Sequence, residues 1–292
     1  MRVLQFGTTG QVARSLLDLG ADGAAEIVAL GRARADLRDP DACAAAIMAA
    51  DAPDLVVNAA AYTAVDRAES EEETARLVNA DAPAAMATAC ARRGVPFIHL
   101  STDYVFDGRG ARPYREDDAI GPLNAYGRGK AAGEAAVAAA CAAHVILRTS
   151  WVFSPYGTNF LKTMLRLGCE RDRLRIVDDQ VGEPTPAAAI AEAILTIGRR
   201  ILAGDARWGL FHFAGAPATS WRRFAEAIFA AAGPDMPVKA AVEPIATRDY
   251  PTAAVRPLRS MLDCSRIGAA YGIEPPDWQR ATTSIVRRLA SQ

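Results

Sequence analysis

A tyrosine and a lysine four positions apart are the residues of this chain best suited to acid–base chemistry. They are Tyr126 and Lys130, in the run Tyr-Gly-Arg-Gly-Lys, and on a helix this spacing places both side chains on one face, one turn apart. A free tyrosine has a pKa of about 10, and a neighbouring positive charge favours the phenolate and lowers that pKa. The pair therefore predicts a phenol that exchanges a proton with a substrate oxygen, beside a lysine whose N–H groups hold a ribose. The same spacing also occurs on solvated helix faces, so the hypothesis depends on the surrounding elements.

The elements that must position this pair alternate between strand and helix along the first half of the chain. Apolar runs predict strands over residues 3–6, 27–30, 55–57, 95–100 and 144–147. This rhythm is typical of a right-handed parallel sheet, but it degrades after residue 150, and the proline-rich segment 234–257 is expected to be irregular. We predict an α/β fold: a Rossmann-type doubly wound parallel sheet over residues 1–150, rejoined by a helix over 187–203, and a smaller mixed substrate lobe mainly over 151–292.

The first predicted strand ends in a glycine turn that leads into a helical pattern. Strand, glycine turn and helix in this order are the context of a dinucleotide-binding fingerprint, because glycine lets the backbone approach a pyrophosphate and the helix amino terminus favours negative charge. Ala13 replaces the usual third glycine and still allows close packing of helix on strand. A plain glycine turn is the alternative. The residues expected to bind the cofactor here are Gly7, Thr9, Gly10, Gln11 and Val12.

The end of the second strand indicates which nicotinamide cofactor is used. An acidic residue commonly stands there to bind the ribose 2′-hydroxyl of NAD, whereas this chain has Arg32, with Arg34 two residues on. A guanidinium pairs well with the additional phosphate of NADP. We therefore predict NADPH, with NADH as the alternative, although a solvated surface arginine has the same appearance. Asp36 and Leu37 are candidates for the adenine pocket.

Small and hydroxylated residues follow the third and fourth predicted strands, where open α/β sheets bind ligands. After the third strand, the run Asn58, Ala59, Ala60 and Ala61 lets a cofactor pass close to the backbone. After the fourth come Ser101 and Thr102, either of which is expected to donate a hydrogen bond to a substrate carbonyl oxygen. His99, within that strand, is interpreted as a core histidine.

Composition and charge narrow the class of protein. With 292 residues, 51% of them hydrophobic, and a mean hydropathy of +0.04, the chain fits a packed globular protein. A net charge of −1 and a pI of about 6.3 lend no support to nucleic acid or an anionic membrane as partner. No apolar run approaches the ~20 residues of a membrane span, and the first strand begins too early for a signal peptide. The five cysteines are scattered, which is typical of free thiols. We expect a cytoplasmic protein.

Four motifs in chain order resemble the extended short-chain dehydrogenase/reductase family. They are Gly7-x-x-Gly10, the run from Asn58 to Ala61, Ser101-Thr102-Asp103, and Tyr126-x-x-x-Lys130. Longer runs, among them residues 6–12, 58–66, 101–106 and 148–152, are similar more narrowly to the dTDP-4-dehydrorhamnose reductases. The likeness covers nearly the whole chain.

This resemblance implies reduction, by a nicotinamide cofactor, of the C4 keto group of dTDP-4-dehydro-L-rhamnose to dTDP-L-rhamnose. Matched residue by residue, Thr102, Tyr126 and Lys130 are implied as the catalytic residues, with Tyr126 and Lys130 also touching the cofactor. The implied substrate-binding residues are Thr63, Val65, Ser101, Asp103, Trp151, Asn159 and Arg256. Trp151 has lobe packing as an equal interpretation, and Arg256 suits a diphosphate because its fork is bidentate.

One departure from the family concerns a metal. Some members bind Mg²⁺ through carboxylates, but the matching positions here are Ser15 and Ala188, and a hard divalent cation needs several oxygen ligands, usually anionic. We predict no structural metal and a monomer or homodimer that is not bridged by metal. Two other functions stay open: a different nucleotide-sugar 4-ketoreductase or epimerase, and a non-catalytic NADP-binding regulatory subunit of the same fold.

Overall fold

The strands of the protein form one large parallel sheet and three small pairs. The computed structural model describes residues 1–233 and 236–291. Its strands are β1 Arg2–Phe6, β2 Glu26–Leu30, β3 Leu55–Asn58, β4 Phe97–Thr102, β5 His144–Thr149, β6 Val152–Phe153, β7 Arg173–Val177, β8 Val181–Gly182, β9 Thr185–Pro186, β10 Gly209–His212, β11 Thr219–Ser220 and β12 Ala241–Ile245.

The helices alternate with the strands of the large sheet and then continue into the carboxyl-terminal half. They are α1 Gln11–Ala21, α2 Pro40–Ala49, α3 Val65–Ala68, α4 Glu72–Arg76, α5 Ala82–Arg93, α6 Ala125–Ala140, α7 Phe160–Glu170, α8 Ala187–Leu202, α9 Trp221–Ala232, α10 Ser265–Tyr271 and α11 Trp278–Ala290. A π-helical turn, Leu77–Asp81, joins α4 to α5. Short 3₁₀ turns lie at Asp103–Val105 and Thr247–Asp249. Among the described residues, no helix is both long and apolar enough to cross a bilayer.

The large sheet has six parallel strands in the order β10-β5-β4-β3-β1-β2. Successive residues of a strand point to opposite faces, so Val3 joins the core beneath α1 and α8, whereas Leu4 joins the core beneath α2 and α5. Both faces are therefore covered by helices, which is why the central strands are apolar throughout. The predicted fold class, a doubly wound parallel sheet with a smaller mixed lobe, is confirmed.

The order of the strands places the ligand crevice. The chain crosses from β1 to β2 in one direction and returns past β1 to β3 in the other. At such a reversal the loops that follow the two central strands diverge, and the space between them opens beyond the carboxyl ends of the strands. The crevice of this sheet therefore lies above β1 and β3.

The carboxyl-terminal half contributes both to the sheet and to a separate cluster. Strand β10 pairs with β5, and α8 packs beside α1. A third core, rich in aromatic side chains, is formed by α7, α9 and α11 with β6 and β7.

The expectation of an irregular segment over 234–257 is wrong in part, because β12 pairs in parallel with β7. Pro244 lies within β12, and a proline in an apolar run argues against a central strand but is tolerated in a two-stranded edge pair. The first two residues of that segment, Pro234 and Asp235, lie outside the described residues.

Candidate active site

A cleft of about 950 Å³ lies at the carboxyl ends of the central strands. The loops after β1, β3 and β4, the first turns of α6 and the segment after β5 form its walls. Most of the predicted site residues line it: Gly7, Thr9, Gly10, Gln11, Val12, Arg32, Asp36, Leu37, Ala59, Ala60, Ala61, Thr63, Val65, Ser101, Thr102, Asp103, Tyr126, Lys130, Trp151 and Asn159. Residues separated by up to 152 positions in the sequence, from Gly7 to Asn159, thus share one surface.

Two predicted residues do not line the cleft. Asn58 is buried beneath it, where its side chain accepts a hydrogen bond from the Ala60 N–H and faces His99. Arg256 forms an ion pair with Asp66 at 2.7 Å and donates to the Ala254 carbonyl. Asn58 therefore supports the cofactor loop from below, and Arg256 is engaged at the rim in this conformation.

The glycine turn has the shape that a dinucleotide needs. Gly7 has φ +101°, a left-handed conformation that favours glycine, and an added Cβ would stand 3.2 Å from the Ala60 Cβ. Helix α1 begins directly after Gly10, which has no side chain to satisfy the first N–H groups of the helix. These donors and the helix dipole favour an anion at this end of the cleft. The residues present fit a cofactor pyrophosphate.

Three arginines follow β2, and they differ in their partners and in whether they line the cleft. Arg38 pairs with Asp36 at 2.6 Å, and both side chains line the cleft. The Arg38 guanidinium holds the pKa of the Asp36 carboxyl below its usual range. Arg32 lines the same end and makes no ion pair with the residues that the structure describes, whereas Arg34 lies outside the cleft wall. Arg38 was missed from the sequence, although it follows the predicted adenine-pocket residues directly.

Tyr126 is positioned by the start of α6. The Asn124 side chain accepts a hydrogen bond from the Gly127 N–H at 2.8 Å and caps the helix, as expected for asparagine at this position. An added Cβ at Gly127 would stand 2.3 Å from the Tyr104 carbonyl oxygen, so only glycine allows the helix to approach the loop after β4. As a result Tyr126 is half-buried and lines the cleft beside Thr102.

The expected lowering of the Tyr126 pKa is wrong for the protein in this state. Burial and, less strongly, the nearby Asp103 charge together raise the pKa of Tyr126 to about 12, while only the neighbouring Thr102 hydroxyl opposes them. The lysine does not help because its Nζ donates to the Leu100 carbonyl at 2.6 Å and lies 3.2 Å from His99 Nε2. Burial also lowers the pKa of Lys130 to about 8. The four-residue spacing therefore places the two groups on one face without making the lysine charge act on the phenol.

The two hydroxyls after β4 have different partners. Ser101 donates a hydrogen bond to the Glu134 carboxylate, behind the sheet, so the expectation that it donates to a substrate is not supported by this geometry. Thr102 donates to Asp103 Oδ1 at 3.0 Å and lies beside the Tyr126 hydroxyl. Burial raises the pKa of Asp103 to about 7. Thr102 and Asp103 are therefore the polar groups that the strand end offers to the cleft.

The far wall of the cleft is aromatic. Trp151 has a strained φ of +43°, and its ring stacks on Trp221 with centroids 3.5 Å apart and planes 8° from parallel. Gly182 makes room for the indole, since an added Cβ there would stand 2.5 Å from it. Asn159 caps α7 and donates to Gln11 Oε1, which ties this wall to the glycine turn. No spacing in the sequence pointed to Trp221, which belongs to a different element 70 residues away.

The cleft combines two features on one doubly wound sheet. One is a glycine turn shaped for an anionic dinucleotide, and the other is a tyrosine–lysine pair beside a hydroxyl group. This combination defines a short-chain dehydrogenase/reductase. No group of three or more histidine, cysteine or acidic side chains with metal-binding geometry occurs among the described residues.

Comparison with known proteins gives a consistent result. The sequence profile of the RmlD substrate binding domain family matches residues 1–291. A dTDP-4-dehydrorhamnose reductase of Sinorhizobium fredii is 46% identical over 292 residues, covering 99% of this chain and 98% of that protein. The crystal structure of a dTDP-4-dehydrorhamnose reductase from Clostridium acetobutylicum is similar with a TM-score of 0.91, at 32% identity and covering 99% of each chain. A Bacillus anthracis dTDP-4-dehydrorhamnose reductase, solved in complex with NADP, has a TM-score of 0.90 at 30% identity, covering 98% of this chain and 99% of that one.

The chain belongs to the dTDP-4-dehydrorhamnose reductase family. The resemblance drawn from the four sequence motifs is thereby confirmed.

Proposed function

We propose that this protein reduces the C4 keto group of dTDP-4-dehydro-L-rhamnose to dTDP-L-rhamnose with NADPH, or with NADH as the alternative cofactor. The proposal rests on one observation above all. Tyr126 lies beside Thr102 in the cleft whose other end is the glycine turn. The named activity of the Sinorhizobium fredii relative, at 46% identity over the whole chain, supports it.

The residues of the chain divide the chemistry among them. The nicotinamide, when bound, supplies a hydride to the C4 carbon. Tyr126 gives its proton to the C4 oxygen, and Thr102 hydrogen-bonds that oxygen, so that the negative charge developing there is neutralised as it forms. Lys130 is proposed to hold the nicotinamide ribose. General acid catalysis of this kind contributes ~10²–10⁴-fold to the rate.

Other residues are proposed to bind the two ligands. The glycine turn and the alanines after β3 would hold the pyrophosphate, and Arg32 the additional phosphate of NADPH. Thr63, Val65, Asp103 and Trp151 line the part of the cleft near Tyr126 and would surround the sugar. Asn159 and Arg256 remain candidates for the substrate diphosphate. For Arg256 this role requires its ion pair with Asp66 to open.

The decisive experiment is oxidation of NADPH and of NADH, followed by absorbance, with dTDP-4-dehydro-L-rhamnose as substrate and identification of the sugar product. We expect turnover and dTDP-L-rhamnose. Turnover only with a UDP- or GDP-linked keto sugar would indicate a different 4-ketoreductase or epimerase. Tight NADPH binding without any turnover would indicate a regulatory subunit.

The remaining expectations are part of the same proposal. We propose a cytoplasmic monomer or homodimer that binds no nucleic acid and needs no metal, because Ser15 and Ala188 offer no carboxylate. Activity should therefore persist in EDTA. Loss of activity that added Mg²⁺ restores would contradict the metal-free proposal.

A further inference from the structure

A chain of buried hydrogen bonds runs beneath the cleft and ends at Lys130. The Ala60 N–H donates to Asn58 Oδ1 at 3.1 Å, and Asn58 Nδ2 lies 3.2 Å from His99 Nδ1. His99 Nε2 lies 3.2 Å from Lys130 Nζ, which donates to the Leu100 carbonyl at 2.6 Å. The residues Asn58, His99 and Lys130 are buried, at 1%, 0% and 2% exposure, so bulk solvent does not compete for these contacts.

The direction of this chain is set at its first link. Because the backbone N–H of Ala60 must meet an acceptor, the Asn58 oxygen faces Ala60 and its NH₂ group faces His99. His99 Nδ1 must then offer a lone pair. Burial lowers the pKa of His99 well below its usual value, so the ring is neutral and its single proton is on Nε2.

That proton points at Lys130. A neutral amine accepts it and still donates to the Leu100 carbonyl, which satisfies every polar atom in the chain. An ammonium has no lone pair, so it would place two donors against each other at 3.2 Å in a dry interior. The alternative histidine tautomer only moves the conflict to the Asn58 NH₂ group.

The other charged groups around Lys130 do not remove this conflict. Glu134, one turn further along α6, would favour an ammonium, but its carboxylate is bound by Arg148 and Ser101. Tyr126, one turn earlier, is a neutral phenol at pH 7. On the neighbouring segment α4, Glu72 pairs outward with Arg128. The remaining influence is burial, which favours the neutral amine.

We propose that Asn58 and His99 favour the neutral amine form of Lys130 in the cofactor-free protein, so that at alkaline pH cofactor binding is accompanied by uptake of one proton from solvent at Lys130. On binding, Lys130 leaves His99 for the ribose hydroxyls, where the ammonium form is favoured and its positive charge can act on Tyr126. His99 and Asn58 are thus positioning residues. This inference rests on the proposed cofactor site.

The test is calorimetric titration with NADPH at pH 6.5 and pH 9, each in two buffers of different ionisation enthalpy, which counts the protons taken up. In the unmodified protein we expect little uptake at pH 6.5 and close to one proton at pH 9. By linkage, the affinity should fall up to about tenfold per pH unit above the pKa of Lys130 in the free protein. The 2′-phosphate of NADPH is fully ionised across the upper part of this range and contributes no protons there.

Two variants reverse the direction of the chain. In Asn58→Asp, a carboxylate accepts from His99 Nδ1, so that Nε2 offers its lone pair to an ammonium. In His99→Gln, a carboxamide oxygen takes the place of the imidazole N–H. In both we expect proton uptake at pH 9 to fall by at least half. Phe97→Leu is the matched control, because it alters packing against the His99 ring without changing any hydrogen bond, and should keep the wild-type uptake.

The outcomes separate the inference from the proposed function. NADPH binding at pH 9 without proton uptake in the unmodified protein overturns the inference and leaves the cofactor site intact. Undiminished uptake in both Asn58→Asp and His99→Gln also overturns it, because the protons then come from another group, such as Asp103 or Glu183. Absence of NADPH binding at both pH values removes the proposed cofactor site itself.

Discussion

Helix α6 buries two ionisable side chains one turn apart, and they are treated in opposite ways. Glu134 meets Arg148 through two hydrogen bonds, of 2.8 and 2.6 Å, and also accepts from Ser101. Lys130 meets an imidazole and a backbone carbonyl, and no carboxylate among the described residues. Both residues are at most 5% exposed. The two residues therefore differ in their hydrogen-bond partners and not in how deeply they are buried.

This difference separates the structural charge of Glu134 from the functional charge that we propose for Lys130. A buried ion pair whose hydrogen bonds are complete keeps both of its charges and fixes the helix against β4 and β5. A buried amine without an opposite charge can change its protonation state when a ligand arrives, and groups of this kind cluster at functional sites. The following predictions test the contrast between the Lys130 side and the Glu134 side of the helix.

The largest effect is expected on the functional side. In Tyr126→Phe, turnover should fall by ~10²–10⁴-fold because the proton donor is lost, while NADPH binding persists. The free energy of unfolding should fall by no more than about 1.5 kcal/mol, the value of one hydrogen bond. Steady-state kinetics and urea denaturation measure the two quantities. Unchanged turnover would remove Tyr126 from the mechanism.

On the structural side, Glu134→Ala should lower the free energy of unfolding by about 3–5 kcal/mol, because it leaves the Arg148 guanidinium buried without its partner. Replacing both residues, as Glu134→Leu with Arg148→Met, should recover most of the loss. Lys130→Met is the matched control on the same helix. It removes a buried amine that has no opposite charge and should cost much less than Glu134→Ala. Equal losses of unfolding free energy in Glu134→Ala and Lys130→Met would contradict the distinction between the two residues.

A pH titration extends the contrast to a second buried glutamate. Glu183 accepts a hydrogen bond from the Leu262 N–H at 2.8 Å, and burial raises its pKa from 4.5 to about 8. A raised folded-state pKa means that the folded protein holds the proton more tightly than the unfolded chain. The resulting stability is complete below pH 4.5 and is lost as the pH rises through 8.

In Glu183→Gln this loss is absent. The variant should therefore gain stability relative to the unmodified protein as the pH rises from 5 to 9, measured by chemical denaturation at each pH. If the free energies of unfolding of the two proteins instead changed in parallel from pH 5 to pH 9, the pKa of Glu183 would be the same in the folded and unfolded states.

The smallest effect is expected at the exposed end of the cofactor cleft. Arg32→Ala should weaken NADPH binding about tenfold, the value of one charge-assisted hydrogen bond near solvent, and should leave NADH binding nearly unchanged. Arg34→Ala is the matched control, because Arg34 is equally charged, two residues away and outside the cleft wall. Equal effects of the two variants would show that the preference for NADPH comes from the overall positive charge of this region and not from a phosphate site at Arg32.

The sequence predicted best those features that follow from local spacing. The alternating apolar runs predicted the parallel sheet, and the glycine motif predicted the turn at Gly7. The Asn124 cap and the Tyr126 helix could also be read directly. Pairs between distant segments were not readable. Trp221 stacks on Trp151 across 70 positions, and its role depends on how two elements of the smaller lobe pack.

The helix that carries the tyrosine shows where local spacing stops being informative. Lys130 and Glu134 stand four residues apart, a spacing at which lysine and glutamate usually pair with each other. In the fold they do not pair, because the sheet beneath offers His99 to one and Arg148 to the other. Residue type and spacing by themselves determined the fold class, and they also predicted the glycine turn as the anion site and Tyr126 as the proton donor. Only the tertiary structure decided which charges are neutralised, since burial and the choice of partner set the protonation state of an ionisable group.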